Sequence, residues 1–396
     1  VSVVTNILPK EYTVVIDAMF GVGLSRTIEG HYKDVIEEMN QIHAEKVAID
    51  IPSGISSFDG QVLGTAFHAD LTVSFACEKL GTVLFPGSDY AGEVIPVEIG
   101  IGTKLFEENP EVCYTLEKSD LSKFLPDRKK NSHKGSYGKI LMITGSKGMS
   151  GAAYLSARAA YISGGGLVQI YTEESNRTIL QQLLPEAIVS TYTEYEEEKL
   201  QSLLKWADVI CIGCGLGKSR IAGHILSYLI KYAEVPCVID ADGLNLLADH
   251  MELLPKEKKP FVLTPHMKEM AGLLGCTIPE LGKNRFAALK EFTDSYGVVC
   301  VLKDARTLVA GKDRQMFLNT AGNSAMAKAG SGDVLAGVIT GLLAQHMKVY
   351  EGTVLGVYLH ACGGDAARER RGAYSVLAED LTEGIAACIK KTEKGR

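Results

Sequence analysis

Short apolar runs alternate with polar, glycine-bearing segments along most of the chain. In the first hundred residues these runs are "YTVVIDAMFGVGL", "KVAIDIPSGI", "ADLTVSFAC" and "GEVIPVEIGI", and β-branched residues are frequent in them. The segment "HYKDVIEEMNQIHA", between the first two runs, has apolar positions at helical spacing. Strands separated by helices are typical of an α/β fold with a largely parallel sheet.

The alternation loosens over residues 103–132, where charged residues dominate, and it restarts at His133. The later runs, which include "YGKILMITGS", "ADVICIGCGLG", "CVIDADGLNLL" and "GVVCVLKD", repeat the order strand, glycine-bearing turn, helix. This order is typical of a doubly wound sheet whose ligand site lies at the carboxyl ends of the strands. We therefore predict an α/β domain over 1–102, a linker over 103–132 and a second α/β domain over 133–396.

Composition and charge narrow the class of protein. A chain of 396 residues is long enough for two domains with separate cores, and 46% hydrophobic with 22% charged residues is usual for a soluble globular protein. The net charge of −7 argues against a nucleic-acid partner, which needs a basic face. No run has the length of a membrane span or the form of a signal peptide. We expect a cytoplasmic protein with neither nucleic acid nor membrane as partner.

The nine cysteines are an odd number scattered along the chain, as expected for reduced thiols that serve as small apolar residues. Cys211 and Cys214 have Cys-x-x-Cys spacing. A zinc site needs a second pair of ligands, and a redox pair belongs at a helix start, whereas Cys211 lies in a strand-like run. We interpret both cysteines as structural.

The stretch "AGSGDVLAGVITGLL" places Gly330, Ser331, Gly332 and Asp333 in front of an apolar run with helical spacing. The glycines let a ligand approach the main chain, and the first N–H groups of a helix attract anions. Asp333 then has two interpretations. It caps the helix, or it is a base aimed at the group that attacks a phosphate held by these amides. The local sequence leaves both open.

Further segments carry weaker signals. "GSKGMSGAA", from Gly145, has the form of a phosphate loop but lacks the Gly-Lys-Ser/Thr ending, and "GCGLG" is a glycine turn of low specificity. His266 and Glu269 share one helical face, either as a polar first turn or as ligand-facing groups. His360, in an apolar helical stretch, is interpreted as a core or supporting histidine. The segment "KDART" follows a buried-looking strand, at the edge where such sheets bind ligands.

Taken in order, "GSKGMSGAAYLSARAAYISGGGLV", "GCGLG", "DADGLN", "TPHMKEM", "KDART" and "NSAMAKAGSGDVLAGVITGLL" resemble the ADP- or ATP-dependent NAD(P)H-hydrate dehydratases, a branch of the ribokinase-like superfamily. The resemblance extends from "HKGSYG", which starts at His133, to about Ala387. It implies a ribokinase-like α/β/α doubly wound sheet. It also implies that the loop before the helix holds the transferring phosphate and that Asp333 is the catalytic base.

The resemblance implies two further sets of residues. Those expected to bind ADP, or ATP in its place, are Lys303, Asp304, Ala305, Arg306, Thr307, Asn323, Ser324, Ala325, Met326, Ala327, Lys328, Ala329, Gly330, Ser331 and Gly332. Those expected to bind the hydrate are Ala152, Ala153, Gly217, His266, Met267, Lys268, Glu269, Met270, Ala271, Gly272 and Asp333. Glu269 matches the superfamily's magnesium-associated carboxylate, so Mg²⁺ is an expected cofactor.

The front of the chain has a second resemblance. "DAMFGVGLSRTIEG" and "AIDIPSG" are similar to the NAD(P)H-hydrate epimerases, which are often fused upstream of such dehydratases. By this match Asp17 and Ser53 bind K⁺ and Asp50 faces the nicotinamide. The phosphate-binding loop is Gly21, Val22, Gly23, Leu24, Ser25, Arg26 and Thr27. The family's asparagine- and glycine-rich N-terminal motif does not precede this region. We therefore expect an incomplete, Rossmann-like epimerase domain with doubtful epimerase activity.

The activity that the two resemblances imply is ADP-dependent dehydration of (S)-NAD(P)H hydrate, by phosphorylation of the ring hydroxyl and elimination of phosphate. The expected substrates are NADHX and NADPHX, and a homo-oligomer is expected. One alternative is a ribokinase-like kinase that phosphorylates a sugar or vitamin and stops. Another is a nucleotide-binding module without activity. "HKGSYG" and the epimerase-like segment favour the dehydratase.

Overall fold

The structure is a computed structural model that describes residue 7 and residues 11–102, 104–107, 109, 112–254 and 259–394. The chain divides into two compact units, Val1–Asn109 and Pro110–Arg396. Each unit is an α/β structure around its own sheet, which confirms the predicted fold class.

Unit 1 (Val1–Asn109) contains a four-stranded parallel sheet in the order β1-β2-β3-β4. Its strands are β1 Val14–Asp17, β2 Glu45–Ile49, β3 Leu71–Phe75 and β4 Glu93–Val97. Its helices are α1 His31–Gln41, α2 Leu80–Val83, α3 Ser88–Ala91 and α4 Lys104–Glu107. Ile36 and Met39 of the amphipathic helix α1 pack on Val15 and Ala48 of the sheet. Asp17 ends β1, so its carboxylate lies at the carboxyl edge of this sheet.

Unit 2 (Pro110–Arg396) contains a nine-stranded sheet in the order β13-β12-β11-β10-β9-β8-β5-β6-β7. The strands are β5 Lys139–Ile143, β6 Leu167–Glu173, β7 Ile188–Tyr192, β8 Val209–Ile212, β9 Cys237–Ile239, β10 Phe261–Leu263, β11 Val299–Leu302, β12 Leu308–Gly311 and β13 Phe317–Leu318. All neighbours pair in parallel except β11 with β12 and β12 with β13. The chain reverses its direction across the sheet between β5 and β8. In doubly wound sheets ligands bind at such a switch point, outside the strand carboxyl ends.

Helices connect the strands of unit 2. They are α5 Leu121–Phe124, α6 Ser150–Ile162, α7 Arg177–Leu183, α8 Glu197–Trp206, α9 Arg220–Tyr232, α10 Asp242–Ala248, α11 Met267–Leu274, α12 Ile278–Tyr296, α13 Ser331–Leu343, α14 Val349–Arg371 and α15 Ala378–Lys394. In the part of the chain that the structure describes, none of the helices is long and apolar enough to cross a membrane.

Helix α13 lies in the core of unit 2, where every residue from Val334 to Leu343 is buried. Gly337 lets α13 approach α6 closely, because a Cβ at this position would overlap the Ser156 carbonyl oxygen and lie 2.8 Å from the Ala159 side chain. The small residues of α6 and α13 therefore fix the position of the α13 N-terminus, which carries Asp333.

The segment predicted as a linker packs on unit 2 over part of its length. Tyr114 pairs with the last strand, donating its N–H to the Met316 oxygen (3.0 Å), and Leu116 and Leu121 are buried in the core of unit 2. Residues 103, 108, 110 and 111 of the predicted linker lie outside the described residues. Part of the predicted linker, within 112–125, therefore packs on unit 2. The predicted domain limits otherwise stay a prediction.

Candidate functional site

Polar side chains collect at the carboxyl edge of the unit 2 sheet. Cys214 follows β8, Asp240 follows β9, Thr264 follows β10 and Lys303 follows β11. These strands are neighbours in the sheet, so residues far apart in sequence meet beside the switch point. Asp333, in the first turn of α13, joins them.

Asp240 is at the centre of this group and is 2% exposed. Its Oδ1 accepts hydrogen bonds from Lys303 Nζ (2.6 Å) and Thr264 Oγ1 (2.7 Å). Its Oδ2 accepts from the Cys214 thiol at 3.7 Å. The carboxylates of Asp240 and Asp333 and the Cys214 thiol lie within 4.8 Å of one another.

Asp333 does not cap α13. The helix begins at Ser331, and its N-cap is Gly330 at φ +91°, in the left-handed region that suits glycine, with no side-chain capping bond. Asp333 is the third residue of the helix, and its carboxylate faces the polar group at the sheet edge. The capping interpretation is therefore wrong.

The surroundings of Asp333 make its carboxylate more basic than usual. Burial raises its pKa from 3.8 to about 6, and the neighbouring Asp240 adds to the rise. Cys214 and Lys303 act in the opposite direction, and Asp242 raises the pKa further. The helix N-terminus alone favours the ionised form of an acid. Burial and like charge outweigh that effect here, so Asp333 has the proton affinity that a general base near neutral pH needs.

Lys303 carries the positive charge of the site. Burial lowers the pKa of its ammonium group, but Asp240 and Glu269 raise it more, so its pKa lies above the usual value. Lys303 Nζ is 3.9 Å from Glu269 Oε2. Gly332 brings the backbone close to this ammonium group, since a Cβ there would lie 3.6 Å from Nζ. An anion bound by the first turn of α13 would therefore meet a fixed cation.

His266 and Glu269 form a reciprocal cap at the start of α11. The Glu269 N–H donates to His266 Nδ1 (3.1 Å), and the His266 N–H donates to Glu269 Oε2 (2.8 Å). Burial raises the pKa of Glu269, while Lys303 counteracts that rise. Mg²⁺ in nucleotide sites takes one or two carboxylates together with phosphate and water oxygens. Glu269 offers one such carboxylate and fits that requirement.

Thiolate and carboxylate groups such as those of Cys214, Asp240 and Asp333 can bind metal ions. The protonation of Cys214 and the ion pair of Asp240 disfavour a metal ion between them. Contact with Cys211 and burial raise the pKa of the Cys214 thiol, so it is protonated at neutral pH. A thiol must lose its proton to bind a metal. The Lys303 ammonium already neutralises Asp240. The cluster suits proton transfer better than cation binding.

The predicted nucleotide segments border this site. Lys303 lies in it, and Asp304 pairs with Arg285 (3.1 Å). The second segment begins at Asn323, whose Nδ2 donates to Asp365 Oδ1 of α14 (2.7 Å). Lys328 Nζ donates to the Tyr374 carbonyl oxygen (3.1 Å). The Asp365 side chain of α14 and the Tyr374 backbone carbonyl after α14 thus fix the segment that ends at Gly332.

The residues predicted to bind the hydrate differ in accessibility. Gly217 donates its N–H to Asp242 Oδ2 (2.8 Å), and His266 is half exposed. Ala153 is fully buried, and Met270 and Ala271 also face the core. In this structure the Ala153 methyl group packs against the Gly145 turn, so its side chain does not line an open site. Contact of the other residues with a hydrate stays a prediction.

His360 is buried on α14, as predicted for a core or supporting histidine. Its Nε2 lies 3.5 Å from Ser331 Oγ. Burial lowers its pKa to about 4, so the ring is neutral at physiological pH. His360 supports the first turn of α13 without adding charge to it.

Unit 1 has a separate polar group at the carboxyl edge of its sheet. Ser53 donates from both its hydroxyl and its N–H to the Asp17 carboxylate (2.7 Å each), and the Phe20 N–H donates to Ser53 Oγ (2.9 Å). Burial raises the pKa of Asp17. The Asp17 carboxylate, the Ser53 hydroxyl and the Phe20 carbonyl oxygen, which lies 3.4 Å from Ser53 Oγ, are hard oxygen donors of the kind that bind K⁺.

Asp50 pairs with Lys79, whose Nζ lies 2.5 Å from Asp50 Oδ1. The backbone of Asp50 has φ +73°, an uncommon conformation outside glycine that marks a fixed position. The predicted phosphate loop borders a cleft of about 310 Å³, lined by Phe20, Leu24, Arg26, Thr27, Ile28, Glu29 and Tyr32. Arg26 and Thr27 therefore have access to a ligand there.

Several residues of the two sites were missed from the sequence. Asp240 and Asp242 lie in "DADGLN", a segment that was noted without a role for either carboxylate. The sequence around Asp365 and around Lys79 does not indicate their roles. Their partners, Asn323 and Asp50, are 42 and 29 residues away in sequence.

Known proteins agree with this fold. A ribokinase-like superfamily protein from Enterococcus faecalis superposes with a TM-score of 0.64 at 31% identity, covering 70% of this chain and 95% of its own. An ADP/ATP-dependent NAD(P)H-hydrate dehydratase from Bacillus subtilis, co-crystallized with ATP/Mg²⁺, gives 0.61 at 30% identity, covering 70% and 97%. The fold of unit 2 therefore belongs to the ribokinase-like class.

Sequence comparison assigns the family. The family model described as NAD(P)H-hydrate dehydratase matches residues 140–387, and the one described as YjeF-related protein N-terminus matches residues 2–81. The bifunctional NAD(P)H-hydrate repair enzyme Nnr of Moorella thermoacetica is 36% identical over 96% of this chain and 73% of its own length. That of Escherichia coli is 34% identical over 94% and 71%. The chain belongs to the family of bifunctional NAD(P)H-hydrate repair enzymes.

Proposed function

We propose that unit 2 dehydrates (S)-NAD(P)H hydrate and that ADP is the phosphoryl donor. The observation that carries the proposal is the position of Asp333, a carboxylate with a pKa raised to about 6, in the first turn of α13, where the neighbouring Gly332 lies close to the Lys303 ammonium group. A base for a hydroxyl group thus lies beside a site for a phosphate. The family assignment supplies the substrate class.

The chemistry requires a better leaving group than hydroxide. Asp333 accepts the proton of the ring hydroxyl as its oxygen attacks the terminal phosphorus of the nucleotide, and the bond from that phosphorus to the bridging oxygen breaks. The carbon–oxygen bond of the ring then breaks, and phosphate departs with the electron pair. A proton passes from the neighbouring ring carbon to solvent, and the electrons of that carbon–hydrogen bond form the double bond. The double bond of NAD(P)H is restored, and AMP and phosphate are released when ADP is the donor.

The first turn of α13 and Lys303 bind and orient the phosphate. The N–H groups of Gly332 and Asp333 have no acceptor within the helix, so they are available to a phosphate oxygen. Lys303 stabilises charge on the transferred group. Mg²⁺, when bound at Glu269, would neutralise the phosphate oxygens. Positioning of this kind supplies much of the rate in phosphoryl transfer.

The test is recovery of NADH absorbance when ADP and Mg²⁺ are added to (S)-hydrate. A dehydratase restores the absorbance and releases phosphate in equal amount. A kinase that stops after phosphorylation would consume the nucleotide without forming NADH. A nucleotide-binding module without activity would bind ADP without turnover. Parallel assays with ATP test the preference for ADP.

In unit 1 we propose that Asp17 and Ser53 bind K⁺ and that the cleft beside Arg26 and Thr27 binds phosphates of the hydrate. The oxygen donors at Asp17 and the cleft lined in part by Arg26 and Thr27 support this proposal. That unit 1 has little epimerase activity stays a prediction. Its assay uses pure (R)-hydrate under conditions that suppress spontaneous epimerisation, with dehydration as the readout. Rapid, complete conversion would contradict the expectation.

A further inference from the structure

The unit 2 site contains one buried carboxylate to which neither the resemblance nor the proposed reaction gives a task. Asp240 contacts Lys303, Thr264 and Cys214 and approaches Asp333, and it is almost fully buried. A buried ionised group is costly unless it is paired and hydrogen-bonded, so its two oxygens hold defined partners in place.

The backbone around Asp240 is fixed in an unusual shape. Ala241, the next residue, has φ +47° and ψ −115°, a conformation that costs an L-residue free energy. The turn places Asp240 toward Lys303 while Asp242, in the first turn of α10, holds the Gly217 N–H. Strain of this kind persists where the surrounding contacts determine the conformation.

We propose that Asp240 is a positioning residue that acts through two neighbours. One oxygen fixes the Lys303 ammonium beside Gly332, where the nucleotide phosphate is bound. The other faces Asp333 and, as a like charge, keeps Asp333 basic enough to accept the hydroxyl proton of the substrate. This inference rests on the proposed function of unit 2.

Five groups from different parts of the fold surround Asp333, and three of them are charged. Asp240 and Asp242 are the negative groups, on the turn after β9 and on α10, and Lys303 after β11 is the positive one. Cys214, after β8, is a protonated thiol, and His360 on α14 is neutral. After burial, Asp240 has the largest effect on the pKa of Asp333, and it raises that pKa. Asp240 therefore sets the charge balance at Asp333.

Asp240→Asn tests the proposal, because the amide oxygen can still accept from Thr264 while the charge is lost. We expect the acid limb of the kcat/KM profile to move to lower pH by about one unit, since a like charge beside Asp333 disappears. We also expect ADP to bind on the order of tenfold more weakly, because Lys303 loses the partner that fixes it. Asp249→Asn, at the exposed end of α10, removes the same charge and should change neither quantity.

A merely structural role would lower kcat at every pH and leave the acid limb and the ADP affinity of Asp240→Asn unchanged, and that outcome overturns the proposal. Should this variant not fold, Asp240→Asn combined with Lys303→Gln removes both charges of the pair. Asp240 raises the pKa of Asp333 by more than Lys303 lowers it. The acid limb of the double variant should therefore still lie at lower pH than that of the wild type. A limb equal to that of the wild type would contradict the proposal.

The experiment separates this inference from the proposed function. If the wild-type protein does not recover NADH from hydrate and ADP, the proposed function fails. If the wild type is active and the acid limb and ADP affinity are insensitive to Asp240, only the role of Asp240 fails.

Discussion

Asp333 shows how a single carboxylate obtains the properties of a base from its neighbours. The helix N-terminus and Lys303 stabilise its ionised form, whereas burial and Asp240 disfavour that form. The second pair of effects is larger, and the pKa rises to about 6. Asp333 is therefore ionised at neutral pH and still able to accept a proton.

Asp333→Asn should abolish most of the activity and leave the fold intact. We expect turnover with (S)-hydrate and ADP to fall by on the order of 100-fold or more, the usual scale for loss of a general base. ADP binding should change little, because the amides of the first turn remain. Thermal melts with and without ADP provide the control. A folded, ADP-binding Asn variant with near-normal turnover would show that Asp333 is not the base.

The same variant makes a prediction about stability and pH. The folded-state pKa of Asp333, about 6, lies above the ordinary value of 3.8, so ionisation of Asp333 opposes folding. This destabilisation is absent below the ordinary pKa and complete above the folded one. At pH 8 the Asn variant should therefore melt at the same or a higher temperature than the wild type, and the difference should vanish toward pH 4. A lower melting temperature of the variant at pH 8 would contradict the raised pKa.

The wild-type pH profile tests the raised pKa directly. The kcat/KM value should fall below about pH 6, as Asp333 becomes protonated in the free enzyme. A carboxylate with an ordinary pKa would remain ionised down to about pH 4. An acid limb near pH 4 would show that burial and Asp240 do not control the base. Buffers of constant ionic strength are required, because salt screens charges near the surface.

At the scale of elements, local sequence patterns predicted the strands and the glycine-rich start of α13. They did not predict which side chains from different strands contact each other at the sheet edge. β-branched runs such as "VICI" and "FVL" mark buried parallel strands, and "AGSGD" marks the start of α13. The role of Asp240 depends on Lys303, 63 residues away. The sequence around Asp240 is that of an ordinary strand end followed by a helix, so only the strand order shows that the two side chains meet.

The position of α13 depends on its contact with α6, and a matched pair of glycine substitutions tests this. Gly337→Ala places a methyl group against the Ser156 carbonyl and should destabilise unit 2 by about 1–3 kcal/mol. Gly223→Ala, in α9, meets no atom within 4 Å and should stabilise it by roughly 0.5–1 kcal/mol through helix propensity. Urea unfolding of both variants gives the two values. If Gly337→Ala and Gly223→Ala changed the free energy of unfolding equally, α6 and α13 would not be in close contact.

At the scale of the whole molecule, the limits of unit 2 decide what can fold alone. The sequence predicts a second domain that starts at His133. However, the Tyr114 carbonyl oxygen accepts the N–H of Leu318 in β13, and Leu116 and Leu121 are buried in the core. A segment that starts at residue 112 retains these contacts, and one that starts at His133 loses them.

We expect the segment from residue 112 to fold and to dehydrate (S)-hydrate with ADP at a rate close to that of the full chain, because each described polar group of the unit 2 site lies after that residue. The segment from His133 should melt several degrees lower, since it exposes the apolar surface that Leu116 and Leu121 cover. The measurements are thermal melts and NADH recovery for the two segments and the full chain. Equal melting temperatures of the two segments would restore the linker as first predicted, and an insoluble or inactive product from residue 112, beside an active full chain, would contradict the independence of unit 2.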